Sequence, residues 1–207
     1  KLDLSREDKN DLLRRVCSGG YLDILKWLLD DLNIDQDGKS LGAFMYHPFR
    51  LACEYGQLPV AKFICEREKL TELYEEPKKI LKRMTFWEIC RGGHYELVMW
   101  FIDAFGVTAE DYRHEDYQAF VYCACPKILR KLVEMFGIPS DRNSVISALR
   151  VACDRNRKEM VETIVELCNI TANEVTSGED RSALAVCENL CRMEIGRWLV
   201  ERFNIVY

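Results

Sequence analysis

Phe86-Trp87-Glu88-Ile89-Cys90-Arg91-Gly92-Gly93-His94-Tyr95-Glu96-Leu97-Val98-Met99-Trp100-Phe101-Ile102 decides the fold class of this chain. An apolar segment runs up to a cysteine, a polar turn built on glycine follows, and a second apolar segment begins at once. In that second segment Val98, Phe101 and Ile102 fall at the i, i+3, i+4 spacing of one buried helical stripe. The unit reads as two helices joined by a tight turn. The same order of features occurs upstream in Leu12-Leu13-Arg14-Arg15-Val16-Cys17, Ser18-Gly19-Gly20-Tyr21-Leu22-Asp23 and residues 24–29. It occurs again in Phe49-Arg50-Leu51-Ala52-Cys53-Glu54-Tyr55-Gly56 with residues 60–64. Three further copies lie downstream: residues 119–126 with 128–133, where the turn is shorter, 148–153 with 160–165, and 183–187 with 195–200.

An aliphatic landmark closes each copy: Ile34, Leu70, Val107, Ile138, Ile170 and Ile205, with successive differences of 36, 37, 31, 32 and 35. A period of roughly 33 residues is the mark of a helical repeat array. The spread of the differences indicates degenerate repeats with loop insertions. Pro48, Pro59, Pro77 and Pro126 are expected in the first turns of helices, where a missing N–H costs nothing, and Pro139 after a helix end at Gly137. Thr108-Ala109-Glu110-Asp111 and Thr171-Ala172-Asn173-Glu174 have the form of capped helix starts. Glu75-Glu76-Pro77-Lys78-Lys79, inside the charge-rich insertion at 66–85, is another start, with Ile80, Leu81 and Met84 continuing as its apolar face. That insertion is expected to be a helix extension with a solvated side, the rival being a protrusion specific to a partner. No strand-like alternation is present. The expectation is an all-α chain, one elongated repeat domain over 1–207 of about six helix pairs, bounded near 5–36, 41–72, 77–109, 115–140, 144–172 and 180–207.

Gly93-His94-Tyr95-Glu96-Leu97-Val98-Met99-Trp100 resembles the Gly-His-Leu-Glu-Val-Val-x-x-Leu turn and second helix of the ankyrin-repeat superfamily. Gly20-Tyr21-Leu22-Asp23-Ile24-Leu25-Lys26-Trp27 and Gly56-Gln57-Leu58-Pro59-Val60-Ala61 are similar, and Leu51-Ala52-Cys53 and Val151-Ala152-Cys153 stand where that family has Leu-Ala-Ala. The resemblance covers almost the whole chain. It departs from the family in two respects: the Thr-Pro-Leu-His opening is absent, and the Gly-Ala-Asp-x-Asn finger is replaced by segments such as Phe105-Gly106-Val107-Thr108-Ala109-Glu110-Asp111. This looks like the divergent subtype found in protists and large DNA viruses. It implies an ankyrin-like solenoid whose fingers are degenerate or replaced by loops or helical turns, with the first helices on its concave side.

The 207 residues are 48% hydrophobic and 30% charged, so a real core is available and disorder is excluded as the dominant state. A net charge of −5 argues against a nucleic-acid reader, which needs a basic face. No run of about 18 apolar residues spans a membrane, and the polar start, residues 1–10, has no signal-peptide core. The chain does not begin with Met and is expected to be a piece of a longer protein. Its ten cysteines lie in apolar helical patterns beside Ala, Val and Leu, where a reduced thiol packs as a small hydrophobe. A reducing compartment, cytoplasmic or otherwise intracellular, is the expectation.

Catalytic and metal chemistry find little support. The close cysteine pairs, Cys123-Ala124-Cys125 and Cys187-x-x-x-Cys191, lack zinc-knuckle spacing. Cys17, Cys53, Cys90, Cys123 and Cys153 recur at one repeat position, which packing explains. His47 and His114 lie in connectors, and His94 holds the turn position that ankyrin repeats use for contacts between repeats. No nucleophile elbow, phosphate loop or metalloprotease motif occurs. No catalytic residue, metal site, cofactor or small-molecule substrate is therefore expected.

Two rows remain. Trp27, Phe63, Trp100 and Trp198 share a position on the second helices, broken by Lys131 and Thr163; packing between repeats is the expected role, a binding stripe the rival. Arg14, Arg50, Trp87, Phe120 and Arg150 share the position three residues before the repeat cysteine. They are the candidate partner-binding row, since Arg and aromatics are enriched in interface hot spots, with a solvated face of ion pairs as the alternative. The function expected is a protein–protein interaction module, an adaptor or scaffold that binds a protein partner through the concave face of the ankyrin-like solenoid, with no nucleic acid or membrane involved. The alternatives are a structural subunit of a larger assembly and, behind it, an enzyme with an unrecognised cysteine site. Neither the partner's identity nor the oligomeric state is encoded in these patterns.

Overall fold

The computed structural model describes residues 5–30, 43–177 and 182–205. Among them are thirteen α-helices, one 3-10 turn and no strand, so the protein is all-α. The chain forms two compact units, Lys1–Val107 and Thr108–Tyr207. The landmark Ile34 and the first connector lie outside the described residues.

The first unit contains α1 (Arg6–Gly19), α2 (Leu22–Asp30), α3 (Ala43–Glu54), α4 (Leu58–Arg67), a 3-10 turn at Leu70–Glu72, α5 (Glu75–Gly92) and α6 (Tyr95–Phe105). Helices α1, α3 and α5 pack side by side, and α2, α4 and α6 each pack on the helix before them. The core between these layers takes Leu13 and Cys17 from α1, Leu25 and Leu28 from α2, Phe49 and Cys53 from α3, and Phe101 from α6, each 0–1% exposed. Burying each large side chain of this kind contributes about 1.5–3 kcal/mol. Phe101 stacks on Phe105 with centroids 4.4 Å apart, and Phe49 lies 5.8 Å from Phe105. Pro59 sits in the first turn of α4, and Pro77 in the first turn of α5. Pro48 departs from the expectation: it lies inside α3, because that helix begins at Ala43.

The helix-to-helix turn passes through a left-handed glycine in all three pairs. Gly20, Gly56 and Gly93 take φ of 77°, 75° and 79°, in the left-handed region that glycine enters without a Cβ clash. In the first two pairs the next residue donates its N–H back to the carbonyl five residues earlier, Tyr21 to Val16 at 3.1 Å and Gln57 to Ala52 at 2.8 Å; in the third Gly93 itself donates to the Ile89 carbonyl at 3.2 Å. Each bond closes an orphan carbonyl at a helix end. Each turn also touches the one before it. Gln57 Nε2 donates to the Ser18 carbonyl at 3.0 Å. The His94 ring lies over Gly56, so close that a Cβ there would be 2.5 Å from it.

The second unit contains α7 (Ala109–Val121), α8 (Pro126–Phe136), α9 (Arg142–Asp154), α10 (Lys158–Cys168), α11 (Ala172–Thr176), α12 (Ala183–Asn189) and α13 (Met193–Phe203). Helices α7, α9 and α12 pack in series, as do α8, α10 and α13. Here the left-handed turn residues are Asn156 and Cys191, with φ of 56° and 54°. Arg157 and Arg192 donate back to the carbonyls of Ala152 and Cys187, at 2.9 and 2.7 Å. The side chain of Arg192 repeats the clasp of Gln57, its Nη2 donating to the Asp154 carbonyl at 3.1 Å. Counting back three residues from each left-handed residue gives Cys17, Cys53, Cys90 and Cys153, but Glu188 in the last pair. Cys187 therefore stands one residue ahead of the repeat cysteine.

Helix α7 is not one helix. Thr108 and Asp111 form the expected capping box, but His114 is extended (ψ 140°), and Glu115, Asp116 and Tyr117 are all left-handed, which breaks the helix in two. The break is held from α9 and its approach: the Tyr117 hydroxyl is hydrogen-bonded to Ser140 Oγ at 3.0 Å, and Ser144 Oγ donates to the Asp116 carbonyl at 3.1 Å. Thr171 and Glu174 cap α11 as expected. The connectors after Val107 and Ile170 are thus helical turns. Ile138 is 42% exposed and is no core landmark.

Two stability tests follow from these turns and caps. Gly56→Ala meets both a left-handed backbone and the His94 ring, whereas Gly106→Ala (φ 60°) meets the backbone cost alone, with nothing within 4 Å. Urea unfolding is expected to show a loss of about 1–2 kcal/mol for Gly106→Ala and at least about 1 kcal/mol more for Gly56→Ala. In the second unit the Arg142 guanidinium, hydrogen-bonded to Glu174 at 2.7 Å, lowers the Glu174 pKa from 4.5 to about 2. The pair's stabilisation is complete above the ordinary carboxylate value and fades as pH falls towards about 2. Glu174→Gln should flatten that part of the acid limb in urea midpoints measured between about pH 5 and about pH 3.

Candidate functional site

The candidate row does not form a set of exposed, unengaged side chains. In the first unit, Arg14 is exposed and pairs with Asp11 one turn earlier at 3.6 Å. Arg50 is engaged instead: its Nε donates to Glu88 Oε2 at 3.0 Å, a second guanidinium nitrogen meets Oε1, and the side chains are 20% and 10% exposed. The fork is bidentate and joins α3 to α5, so it works as a bond between helix pairs. Trp87 is half-buried beneath the Arg91 guanidinium, whose carbon lies 5.0 Å from the ring centroid, and Arg91 pairs in turn with Glu54 of α3. In the second unit, Arg150 is half-buried on α9. Phe120 is 0% exposed, in the core, and so offers no surface to a partner.

His47 lies among these groups. Burial, followed by the positive charges of Arg14 and Arg50, lowers its pKa below 6.5, so the ring is neutral at pH 7. Charges on neighbouring helix pairs answer one another throughout. Arg67 meets Asp30 at 2.8 Å in the first unit; Arg130 meets Glu166 at 2.7 Å and Lys158 meets Glu194 at 2.8 Å in the second. Such exposed pairs contribute about 0–1 kcal/mol each and mainly fix register.

The second helices of the first unit present a different surface. Leu25, Leu28 and Leu29 of α2 face the core, while Tyr21, Ile24 and Trp27, three residues apart along the chain, are 57%, 45% and 48% exposed. An open apolar stripe on the outer side of a core helix is unusual unless something covers it. Trp27 is the first member of the aromatic row, and the row continues from it. Phe63 carries Lys26 over its ring at 5.6 Å, and Trp100 lies edge-on to Phe105 at 6.3 Å. Phe63 and Trp100 are half-buried, so the row packs at those positions and opens at α2. The signal missed in the sequence is that six of the nine residues of Leu22–Asp30 are apolar, more than one buried stripe needs.

The second unit holds a polar cavity of about 510 Å³ at the break in α7, with Glu115, Asp116, Tyr122, Asp141 and Ser147 in its wall. Asp141 is occupied as the cap of α9, accepting the N–H groups of Asn143 and Ser144 at 3.1 and 3.0 Å. A smaller groove of about 270 Å³ lies beside Cys187 and Gly196. All ten cysteines are free thiols. Burial raises the pKa of Cys17 to about 12 and that of Cys65 and Cys168 to about 11, so these thiols pack as neutral groups. Among the described residues no group of three or more His, Cys, Asp or Glu side chains is arranged to hold a metal ion, and no helix is long and apolar enough to cross a membrane.

Comparison with protein-family models, with curated proteins and with solved structures found no match. A double-mutant cycle distinguishes a structural Arg50 from a surface one. Arg50→Ala and Glu88→Ala are expected to couple by about 1–2 kcal/mol in urea unfolding, against less than about 0.5 kcal/mol for Arg14→Ala and Asp11→Ala.

Proposed function

We propose that this chain is a protein-binding module, an adaptor or scaffold whose helix pairs are degenerate ankyrin-like repeats. The repeat reading rests on the left-handed turns that recur with the same hydrogen bonds and on the side chains that clasp each turn to the one before it. The observation that carries the binding reading is the open stripe of Tyr21, Ile24 and Trp27 on α2. Tyr and Trp combine a large apolar area with few rotatable bonds, which is why they dominate interface hot spots. The partner is a protein surface that buries these three side chains; no turnover or cofactor is involved. Free cysteines in apolar positions fit a reducing, intracellular setting. Arg14 belongs at most to the rim of such an interface, since its charge is exposed and its one ion pair is local.

The test is affinity capture with mass spectrometry, followed by titration of any captured protein against purified chain. Ile24→Ser with Trp27→Ser is compared with the unaltered sequence, after urea unfolding shows equal stability. Arg14→Glu serves as the charge control; Arg50→Glu is unsuitable because it sets two carboxylates together at Glu88. A saturable partner whose affinity falls at least about tenfold in the Ser variant supports the reading, that loss being about 1.4 kcal/mol. Equal affinity for both chains, or no saturable partner, overturns it.

A further inference from the structure

Cys153 and Cys187 face each other where α9 packs on α12, and their thiols are hydrogen-bonded to one another. The pairing comes from the register shift in the last helix pair. The repeat position, three residues before the left-handed turn residue, holds Cys153 in one pair and Glu188 in the next. Moving the cysteine back one residue, to 187, rotates it by about 100° around α12. At that position the thiol meets Cys153, and Glu188 is exposed. The two thiols are 0% and 1% exposed, but their surroundings differ. Cys187 forms part of the wall of the groove of about 270 Å³, together with Arg192, Met193, Gly196 and Val200, whereas Cys153 does not. Gly196 keeps this approach open: a side chain there would place its Cβ 3.4 Å from Cys187 Cβ. The only strongly exposed thiol of the described chain, Cys191, is the left-handed turn residue and lies outside this wall.

We propose that Cys153 and Cys187 are a modification site, a dithiol that a small uncharged peroxide entering by the groove converts to a disulfide between the last two helix pairs. The Cys187 thiolate attacks one peroxide oxygen; the O–O bond breaks, Cys187 becomes a sulfenic acid, and the departing hydroxide takes up a proton as water. The Cys153 sulfur then attacks the Cys187 sulfur. The S–S bond forms, the S–OH bond breaks, and the Cys153 proton leaves with that hydroxyl as a second water. Two thiols are oxidised and one peroxide is reduced to two waters. The arrangement suits the order of attack: Cys187 lies in the groove wall, where a peroxide meets it first, and Cys153 lies outside that wall. The reverse reaction is exchange with a small-molecule dithiol. The product staples α9 to α12 across a loop of more than thirty residues, so it stabilises the native unit by restricting its unfolded chain. This inference is independent of the partner-binding reading.

The experiment uses the full chain carrying Cys191→Ser, so that the tryptic peptide ending at Arg192 contains Cys187 as its sole thiol. The reduced protein is treated with hydrogen peroxide, blocked with an alkylating reagent and digested under non-reducing conditions. The expected result is a cross-linked pair, the peptide containing Cys153 joined to the peptide containing Cys187, lighter than the sum of its parts by two hydrogens and separated by a dithiol reductant. The urea midpoint should rise on oxidation. With Cys153→Ser added, dimedone should label Cys187; with Cys187→Ser instead, labelling of Cys153 should be lost. The parent carrying Cys191→Ser alone needs neither further substitution, so a variant that fails to fold leaves its cross-link as the readout. If Cys153 and Cys187 stay alkylatable after peroxide and other cysteines oxidise first, or if they link only once urea has unfolded the chain, the proposal is overturned.

Discussion

Five of the helix pairs among the described residues turn through one backbone residue with positive φ, and the α7–α8 pair turns without one. In these pairs the chain leaves the first helix through a left-handed residue and starts the second after a link of two or three residues. Gly20, Gly56, Gly93, Asn156 and Cys191 supply it. At four of them the N–H of the following residue then satisfies a helix-end carbonyl. The same turn sets the contact with its neighbour. A residue lacking Cβ leaves room for the Gln57 side chain or the His94 ring to lie on the preceding turn. At the glycine turns local chain reversal and association between pairs share a single steric requirement, as expected where each repeat is stabilised mainly by its neighbours.

The remaining layers follow from that spacing. Once turns stack, residues at matching positions of successive pairs come within reach of each other, and their chemistry must be compatible. The core positions answer with cysteine, alanine and aliphatic side chains, small enough for first helices to approach closely. The surface positions answer with alternating charge, Arg50 to Glu88 and Glu54 to Arg91 on the first helices, Asp30 to Arg67 on the second. A row of like residues at one repeat position would place like charges side by side. An arginine repeated along a row thus needs an acid on the next helix, and Glu88 provides it for Arg50.

How far the sequence discloses this depends on whether a signal is local. The helical class, the glycine turns, the capping boxes at Thr108 and Thr171, the start near Glu75 and the buried face of α2 are all set within one turn of chain, and all are legible. Asn156 and Cys191 take the same left-handed conformation as the glycines but carry no glycine to announce it. The break in α7 is held by Ser140 and Ser144, more than twenty residues away, and its cost in three left-handed side chains is invisible in the composition of 114–117. Phe120, three residues after the break, is buried. Pro48 was misplaced because its helix begins several residues earlier than the proline suggests. The role of Arg50 is decided by Glu88, thirty-eight residues on, which a single helix pattern does not reveal.

Physical chemistry then divides the two layers of the first unit. On the first helices the charged groups are largely engaged with neighbours, and an engaged bidentate pair is a poor binding element, because a partner must first displace a carboxylate that is already well placed. On α2 the situation is reversed. Ile24 and Trp27, with Tyr21 just before the helix, are exposed, while Leu25, Leu28 and Leu29 fill its core side. Covering such side chains releases water without breaking an internal bond, so the gain on burial is not offset by a loss elsewhere. Phe63 and Trp100 have the same repeat position but are drawn against Lys26, Phe101 and Phe105, which leaves the open end of the aromatic row as the part with unspent apolar surface.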